Sequence, residues 1–169
     1  MTHSQCEAAL AWQKAQYGHD KRNHFDILSL HKSDRLKHYG LHFAKYAGRL
    51  ARGDQEKKSK QQTAVDSLLV SLSAANTLHQ HLAMPDDDDD ERIPNNQFEV
   101  YVSSAGQFCD ACEKIDHTEF DGIKSMFENS NSTLFKLSLL FLKNLQTDPL
   151  EALSRRRNEL AARAFYVGD

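Results

Sequence analysis

Apolar side chains recur every three or four residues along most of the chain, a spacing that places them on one side of an α-helix. The clearest row, in the segment 33–53, consists of Leu36, Tyr39, Phe43, Tyr46 and Leu50. Similar rows predict further helices over residues 5–17, 59–84, 97–116 and 148–166. Because no segment shows the alternating pattern of a strand, the sequence predicts an all-α fold, a compact bundle of about six helices.

Residues with known capping preferences mark where several of these helices begin and end. Ser33 is placed to cap the helix at 33–53 with its side-chain oxygen. Ser59 and Gln62 have the spacing of a capping box, in which each side chain accepts a hydrogen bond from the other residue's backbone. Pro85 is expected to stop the helix that starts at Ser59, and Asp148 is expected to cap the last helix.

The segment 118–147 is predicted as two helices. Thr118 is placed to cap the first of them, and the polar run Asn-Ser-Asn-Ser at 129–132 is expected to break it. The second, at about 133–147, is apolar on almost every side. A helix without a polar face is buried all round, so it is either the central helix of the bundle or half of an interface between two copies of the chain.

The composition fits one folded domain and argues against several function classes. With 40% hydrophobic and 27% charged residues, a single domain over residues 1–169 is expected, and an acidic linker at 85–97 should stay in solvent. No apolar run is long enough to cross a membrane, and no signal-peptide pattern is present, so a cytoplasmic location is expected. A net charge of −3 disfavours nucleic acid as a partner, and the adjacent arginines 155–157 are expected to point into solvent in different directions.

The helix predicted at 33–53 also carries a row of basic side chains. With about 100° between successive residues, His38, His42, Lys45 and Arg49 fall within roughly 60° of one another. This basic stripe borders the apolar row and does not oppose it. Lys and Arg bind phosphate oxygens, and His adds hydrogen bonds and a pH-sensitive charge. The stripe therefore indicates either a phosphate site or a solvated flank that pairs with acidic neighbours.

Two further patterns are typical of metal binding. His38 and His42 are one helical turn apart, a spacing that suits zinc, although the basic residues that follow disfavour a cation. Cys109 and Cys112 form a C-x-x-C pair on the apolar side of a predicted helix, where buried structural thiols are the simpler interpretation. The alternative is a zinc site that joins this pair to His38 and His42 or to His117. We expect no bound metal from these residues.

Two adjacent segments, LHFAKYAGRLA at 41–51 and AVDSLLVSLSAAN at 64–76, are joined by a short polar link. Together they resemble the paired helices of the MazG-like all-α nucleoside triphosphate pyrophosphohydrolases, over about residues 34–83 of this chain. In that family, two adjacent helices carry four carboxylates that hold Mg²⁺, which neutralises the triphosphate and helps to activate water. The resemblance thus implies a MazG-like helical fold.

The chain departs from that family at most of the carboxylate positions. Carried over by position, the carboxylates fall on His42, Lys45, Thr63 and Asp66, of which only Asp66 is acidic. One carboxylate cannot replace four, and Lys45 would repel Mg²⁺. Either the chemistry is lost, or His42, Lys45 and Arg49 hold phosphate directly without a metal. Asp66 is expected to pair with a basic residue on the preceding helix.

The sequence therefore leads to two function hypotheses. The one we favour is a non-catalytic helical binding or interaction protein that self-associates and binds a nucleotide or another phosphorylated small molecule. Its ligand-binding residues are predicted to be His38, His42, Lys45, Arg49 and Asp66. The alternative is a divergent MazG-like nucleoside triphosphate pyrophosphohydrolase, the only case in which Mg²⁺ is expected as a cofactor. For that alternative the sequence names no catalytic residue.

Overall fold

The computed structural model describes residues 3–85, 96–117 and 121–163. All the secondary structure assigned in these ranges is helical. The α-helices are α1 (His3–Asn23), α2 (Phe25–Leu28), α3 (Lys32–Arg52), α4 (Lys60–Leu78), α5 (Gln97–Asp116), α6 (Ile123–Asn144) and α7 (Pro149–Ala161). A short 3₁₀ turn, Gly53–Gln55, follows α3. The predicted all-α bundle is confirmed: within the described ranges, six of its helices are long, and α2 has only four residues.

Four helices form a closed ring. Helix α4 packs against α6, α6 against α5, α5 against α3, and α3 against α4. One apolar cluster joins α3, α5 and α6, where the rings of Phe43, Phe108 and Phe127 meet edge to face. A second cluster, which includes Leu68 and Leu153, joins α4 and α6 to α1 and α7. Helices α1 and α7 therefore pack on α4 outside the ring, where they enclose the site described below.

Helix α6 is a central helix of the bundle. Leu134, Phe135, Leu137 and Leu142 are all 0% exposed, because α4 and α5 cover them. Burial within one chain is therefore sufficient to explain why this segment is apolar, and an interface between two copies is not needed. Self-association stays a prediction, but α6 no longer motivates it.

The predicted capping residues are present at two helices and shifted at a third. Ser59 and Gln62 form the expected capping box, with both side chain–backbone hydrogen bonds at 3.1 Å. Asp148 caps α7 by accepting a backbone N–H of its first turn at 2.7 Å. For α3 the prediction is wrong: the N-cap is His31, whose ring nitrogen accepts from the backbone N–H of Ser33.

Helix α1 continues well beyond the end predicted at residue 17. Its second half turns a row of polar side chains towards the rest of the protein, and all of them are buried: Gln13, Gln16, His19, Asp20 and Asn23. These residues have helical spacing, but a search for apolar periodicity does not detect them because they are polar. This row forms one end of the site.

The predicted break at 129–132 is wrong, because α6 runs through it without interruption. Asn131 is 0% exposed, and its side-chain amide donates to the Ser71 carbonyl at 3.1 Å and to Gln80 Oε1 at 2.8 Å. The polar side chain thus binds neighbouring segments and does not end its own helix.

Several further predicted segment boundaries can be compared with the structure. Helix α4 ends at Leu78, ahead of Pro85, because His79 adopts a left-handed conformation with φ of 56°. Thr118, most of the acidic linker and the end predicted for α7 at residue 166 lie outside the described residues. In the described part of the chain, the helices are too short or too polar to cross a membrane.

Candidate functional site

A cleft of about 340 Å³ lies between α3 and α4 and is bounded by α1, α2 and α7. Its lining includes all five residues that the sequence predicts as a site: His38, His42, Lys45, Arg49 and Asp66. The first four come from one side of α3, and the fifth comes from α4. The volume lies at the lower end of the roughly 300–1,000 Å³ that small-molecule sites occupy.

The two histidines of α3 are neutral hydrogen-bonding groups. Their ring centroids are 4.6 Å apart. The Nδ1 atom of His42 accepts from Lys45 Nζ at 3.2 Å and lies 2.9 Å from the Tyr46 hydroxyl. Burial, and then the charge of Lys45, lower the pKa of His42 to about 3 and also lower the pKa of His38. Near neutral pH, the positive charge of the basic stripe therefore comes from Lys45 and Arg49.

Lys45 has more donor capacity than the described residues use. Its ammonium group lies 5.0 Å from the centre of the Tyr46 ring and donates to neutral His42. No carboxylate in the described ranges lies within ion-pair distance of it. Burial and the neighbouring Arg49 lower the pKa of Lys45. An anion in the cleft would supply the missing counter-charge.

Asp66 holds two arginines in place. Its Oδ2 accepts from Arg49 at 3.3 Å, and its Oδ1 accepts from Arg156 Nε at 2.7 Å. Arg156 also donates to Glu159 at 2.9 Å. The expected pairing of Asp66 with the preceding helix is therefore present. Because both carboxylate oxygens bind guanidinium groups, Asp66 positions cations and is poorly placed to ligate a metal.

Among the described residues that line the cleft, cations outnumber carboxylates. Five basic side chains take part, namely Lys45, Arg49, Lys58, Arg156 and Arg163. The carboxylates among the described lining residues are Asp66 and Asp20. A concave surface with an excess of positive charge attracts anions, and its low-dielectric walls strengthen the attraction.

The remaining lining offers apolar and aromatic surface. The apolar side chains are Ile27, Leu28, Leu69, Val70 and Leu160. Tyr39 and Tyr46 add aromatic edges. A cleft with both cationic and apolar walls suits an organic molecule that has an anionic group and a less polar body.

The cleft residue Arg156 was not predicted from the sequence. The expectation that residues 155–157 all point into solvent is wrong for Arg156, which binds Asp66, and for Arg157, which donates to Gln16 Oε1 at 2.9 Å. The spacing of Leu153, Arg156 and Leu160 could have revealed the position, since it continues the buried row of α7.

The cysteine pair lies where α5 packs against α3. Cys112 is buried and Cys109 is half-buried in α5, and Cys109 Sγ lies 3.5 Å from the Gly40 carbonyl oxygen of α3. Burial raises the pKa of Cys109 and raises that of Cys112 to about 12, so both are thiols at neutral pH. Neither belongs to a cluster of three candidate metal ligands in the described part of the chain. The interpretation as buried thiols is thus supported.

At the α1 end of the cleft, His19, Asp20 and His24 come together. One candidate ligand atom from each residue lies within 4.8 Å of the other two. Asp20 accepts from Ser73 Oγ at 2.6 Å and from Gln16 Nε2 at 2.8 Å. Burial raises the pKa of Asp20 and lowers that of His19 to about 4. This group was not predicted, although Asp20 and His24 are one helical turn apart in the sequence.

Comparison with known proteins adds no assignment. No family model matches the chain, and neither a curated protein nor a solved structure shows significant similarity to it.

Proposed function

We propose that this protein is a non-catalytic helical binding protein that holds a phosphate-bearing small molecule in the cleft. The observation that carries the proposal is Lys45, a cation in a concave site that has no carboxylate partner among the described residues. Arg49 and Arg156 line the same cleft, and Asp66 fixes their orientation. Lysine binds a phosphate as a compact charge, and arginine binds it through paired N–H groups.

A mononucleotide fits the chemistry of this cleft. The volume of about 340 Å³ is that of a small-molecule site, and the lining combines basic side chains with apolar and aromatic ones. A nucleotide has the matching parts, since its phosphates are anionic and its base is planar and less polar. His38 and His42, being neutral, offer hydrogen bonds without adding charge.

The pyrophosphohydrolase alternative has less support in the geometry. That chemistry relies on several carboxylates around Mg²⁺. Here Asp66 is occupied by Arg49 and Arg156. Asp20 is the other carboxylate among the described lining residues, and it lies on α1. The arrangement suits the retention of phosphate better than its cleavage.

The binding proposal is tested by calorimetric titration with AMP, ADP, ATP, pyrophosphate and inorganic phosphate, with EDTA present. We expect at least one nucleotide to bind, and we expect Lys45→Glu to weaken that binding by about tenfold or more, or about 1.4 kcal/mol. The matched control is Lys14→Glu, the same charge change at an exposed position of α1 outside the cleft. The proposal is contradicted if no compound binds at millimolar concentration, or if the two variants bind equally well.

Catalysis is tested separately by pyrophosphate release from a panel of nucleoside triphosphates with Mg²⁺ or Mn²⁺. We expect no release above the protein-free rate. Release by the wild type above that rate would replace the binding proposal with the pyrophosphohydrolase alternative. Light scattering at micromolar concentration tests the remaining prediction of self-association, which a monomer would contradict.

A further inference from the structure

Three side chains at the junction of α1 and α2 have the chemistry of a metal site. His19 and Asp20 lie in the last turn of α1, and His24 links the two helices. A ring nitrogen of each histidine and a carboxylate oxygen all lie within 4.8 Å of one another. Within the described ranges, this is the one group of three candidate ligands with such close spacing.

The buried ring of His19 is a second observation that points to a bound ion at this site. Its side chain is buried, with 3% of the residue exposed, and its Nε2 atom has no hydrogen-bond partner among the described residues. The Nδ1 atom, in contrast, lies 3.1 Å from the side-chain amide of Asn23. An unpaired polar atom in a protein interior is costly, so buried groups of this kind nearly always have a partner. A metal ion bound at Nε2 would be that partner.

Asp20 is held as metal-binding carboxylates are held. It is 5% exposed, and each of its oxygens accepts one hydrogen bond, from Ser73 Oγ or from Gln16 Nε2. A carboxylate oxygen has further acceptor capacity after one such bond. Hydrogen bonds from outside a metal site commonly fix the orientation of its ligands in this way.

We propose that His19, Asp20 and His24 bind one Zn²⁺ ion. Two imidazoles and one carboxylate form a ligand set that zinc uses when a further coordination position is left to water or to a bound molecule. Harder cations such as Mg²⁺ prefer oxygen ligands throughout. Asp20 and His24 also line the cleft, and His24 is half-buried, so the ion has a route from solvent.

Binding requires two local adjustments. Ligand atoms around Zn²⁺ are separated by roughly 3.4 Å, so the spacing of up to 4.8 Å must contract, and His24 can rotate towards α1. The proton of His19 must also lie on Nδ1, and the Asn23 amide must turn its oxygen to accept it, which gives up the hydrogen bond that its nitrogen donates to the His19 carbonyl at 3.1 Å. Asn23→Asp, which supplies a carboxylate to that N–H, should therefore tighten zinc binding.

The site is tested by calorimetric titration of the chelator-treated, metal-free protein with ZnCl₂ and no phosphate compound. We expect one ion per chain, no heat of binding with MgCl₂, and a loss of affinity of about tenfold or more in His24→Ala. The half-buried position of His24 makes this variant less disruptive than a change at His19. The matched control is His81→Ala, an exposed histidine outside the cleft.

Two further readouts separate a bound ion from a general effect on folding. Zn²⁺ should raise the melting temperature of the wild type and of His81→Ala but not that of His24→Ala. Co²⁺ in place of Zn²⁺ should give visible absorption bands that His24→Ala lacks. The proposal is overturned if the wild type binds no Zn²⁺, or if His24→Ala and Asp20→Asn bind it as the wild type does. Because the probe is the metal alone, this result is independent of whether the cleft binds a nucleotide.

Discussion

The two ends of the cleft are built from similar residue types but have opposite electrostatic character. At the α3 end, Asp66 lies between Arg49 and Arg156, and Lys45 adds a charge that has no carboxylate partner among the described residues. At the α1 end, Asp20 is held by neutral hydrogen-bond donors beside histidines. One carboxylate is hydrogen-bonded to guanidinium groups, whereas the other accepts from the neutral side chains of Ser73 and Gln16, and Arg157 acts on it through its charge. A single cleft can therefore offer one end to an anion and the other to a metal ion.

Burial accounts for this difference. Lys45 lies on the exposed border of α3, next to the apolar row that enters the core. The polar row of α1 instead packs directly on α4, which takes His19 and Asp20 out of water. A cation at the border keeps part of its hydration and can exchange it for phosphate. A carboxylate in the interior needs a partner within hydrogen-bond or coordination distance.

The largest expected effect is a difference in stability between variants of the two carboxylates, Asp66 and Asp20. Asp66→Asn removes the carboxylate that pairs with the largely buried Arg49 and one of the two that pair with Arg156, and should destabilise the fold by about 3 kcal/mol. Asp20→Asn in the metal-free protein loses no arginine hydrogen bond, and should change stability by about 1 kcal/mol or less. Urea denaturation of both variants measures the difference. Equal losses would mean that the two ends are not electrostatically distinct.

A smaller effect is expected in the pH dependence of stability. The unfolded chain protonates His42 below its ordinary pKa of 6.5, whereas the folded chain does so only near pH 3. The folded state thus binds fewer protons in this window, and His42 lowers its stability as the pH falls from 6.5 towards 3. His38, Lys45, Arg49 and His24 are the neighbouring groups that oppose a charge on His42.

This dependence is measured by comparing wild type and His42→Gln, which keeps an acceptor for Lys45. The stability of the wild type relative to the variant should decrease by about 2 kcal/mol between pH 7 and pH 5. His81→Gln, at an exposed position, serves as the control and should follow the wild type. Parallel profiles for wild type and His42→Gln would show that His42 is not held neutral by the cleft.

The smallest expected effect concerns the hydroxyl of Tyr46. Tyr46→Phe removes the contact with His42 at 2.9 Å but keeps the ring beside Lys45 and Arg49. Stability should fall by about 1 kcal/mol or less, and nucleotide affinity should change by less than the loss expected for Lys45→Glu. Thermal denaturation and calorimetry measure the two quantities. A loss of affinity as large as that of Lys45→Glu would indicate that the hydroxyl, and not the cation, contacts the ligand.

Sequence patterns predicted the helices correctly where the apolar residues with helical spacing are also the residues that pack in the core. The helix at α5 and the capped starts of α4 and α7 follow from local residue types. The second half of α1 does not, because its buried side chains are polar. The same reason explains why the run at 129–132 does not break α6: Asn131 finds partners on segments distant in sequence.

The candidate site also has a part that the sequence predicts and a part that it does not. The basic stripe could be predicted because the geometry of one helix sets the relative positions of His38, His42, Lys45 and Arg49. The contact between Arg156 and Asp66 joins residues ninety positions apart, so it depends on how α7 packs on α4. The cluster of His19, Asp20 and His24 was missed because the first helix was predicted to end at residue 17, ahead of all three residues. Tertiary packing determines these parts of the cleft.

The most direct test of the phosphate site is to locate a bound nucleotide by ¹H–¹⁵N NMR, using the nucleotide that binds best in the titration. The account predicts that shift changes concentrate on the side-chain N–H groups of Arg49 and Arg156 and on the α3 backbone around Lys45, and that Lys45→Glu abolishes them. Changes confined to residues outside the cleft, such as the surface formed by Lys57, Gln61 and Arg155, would contradict the account.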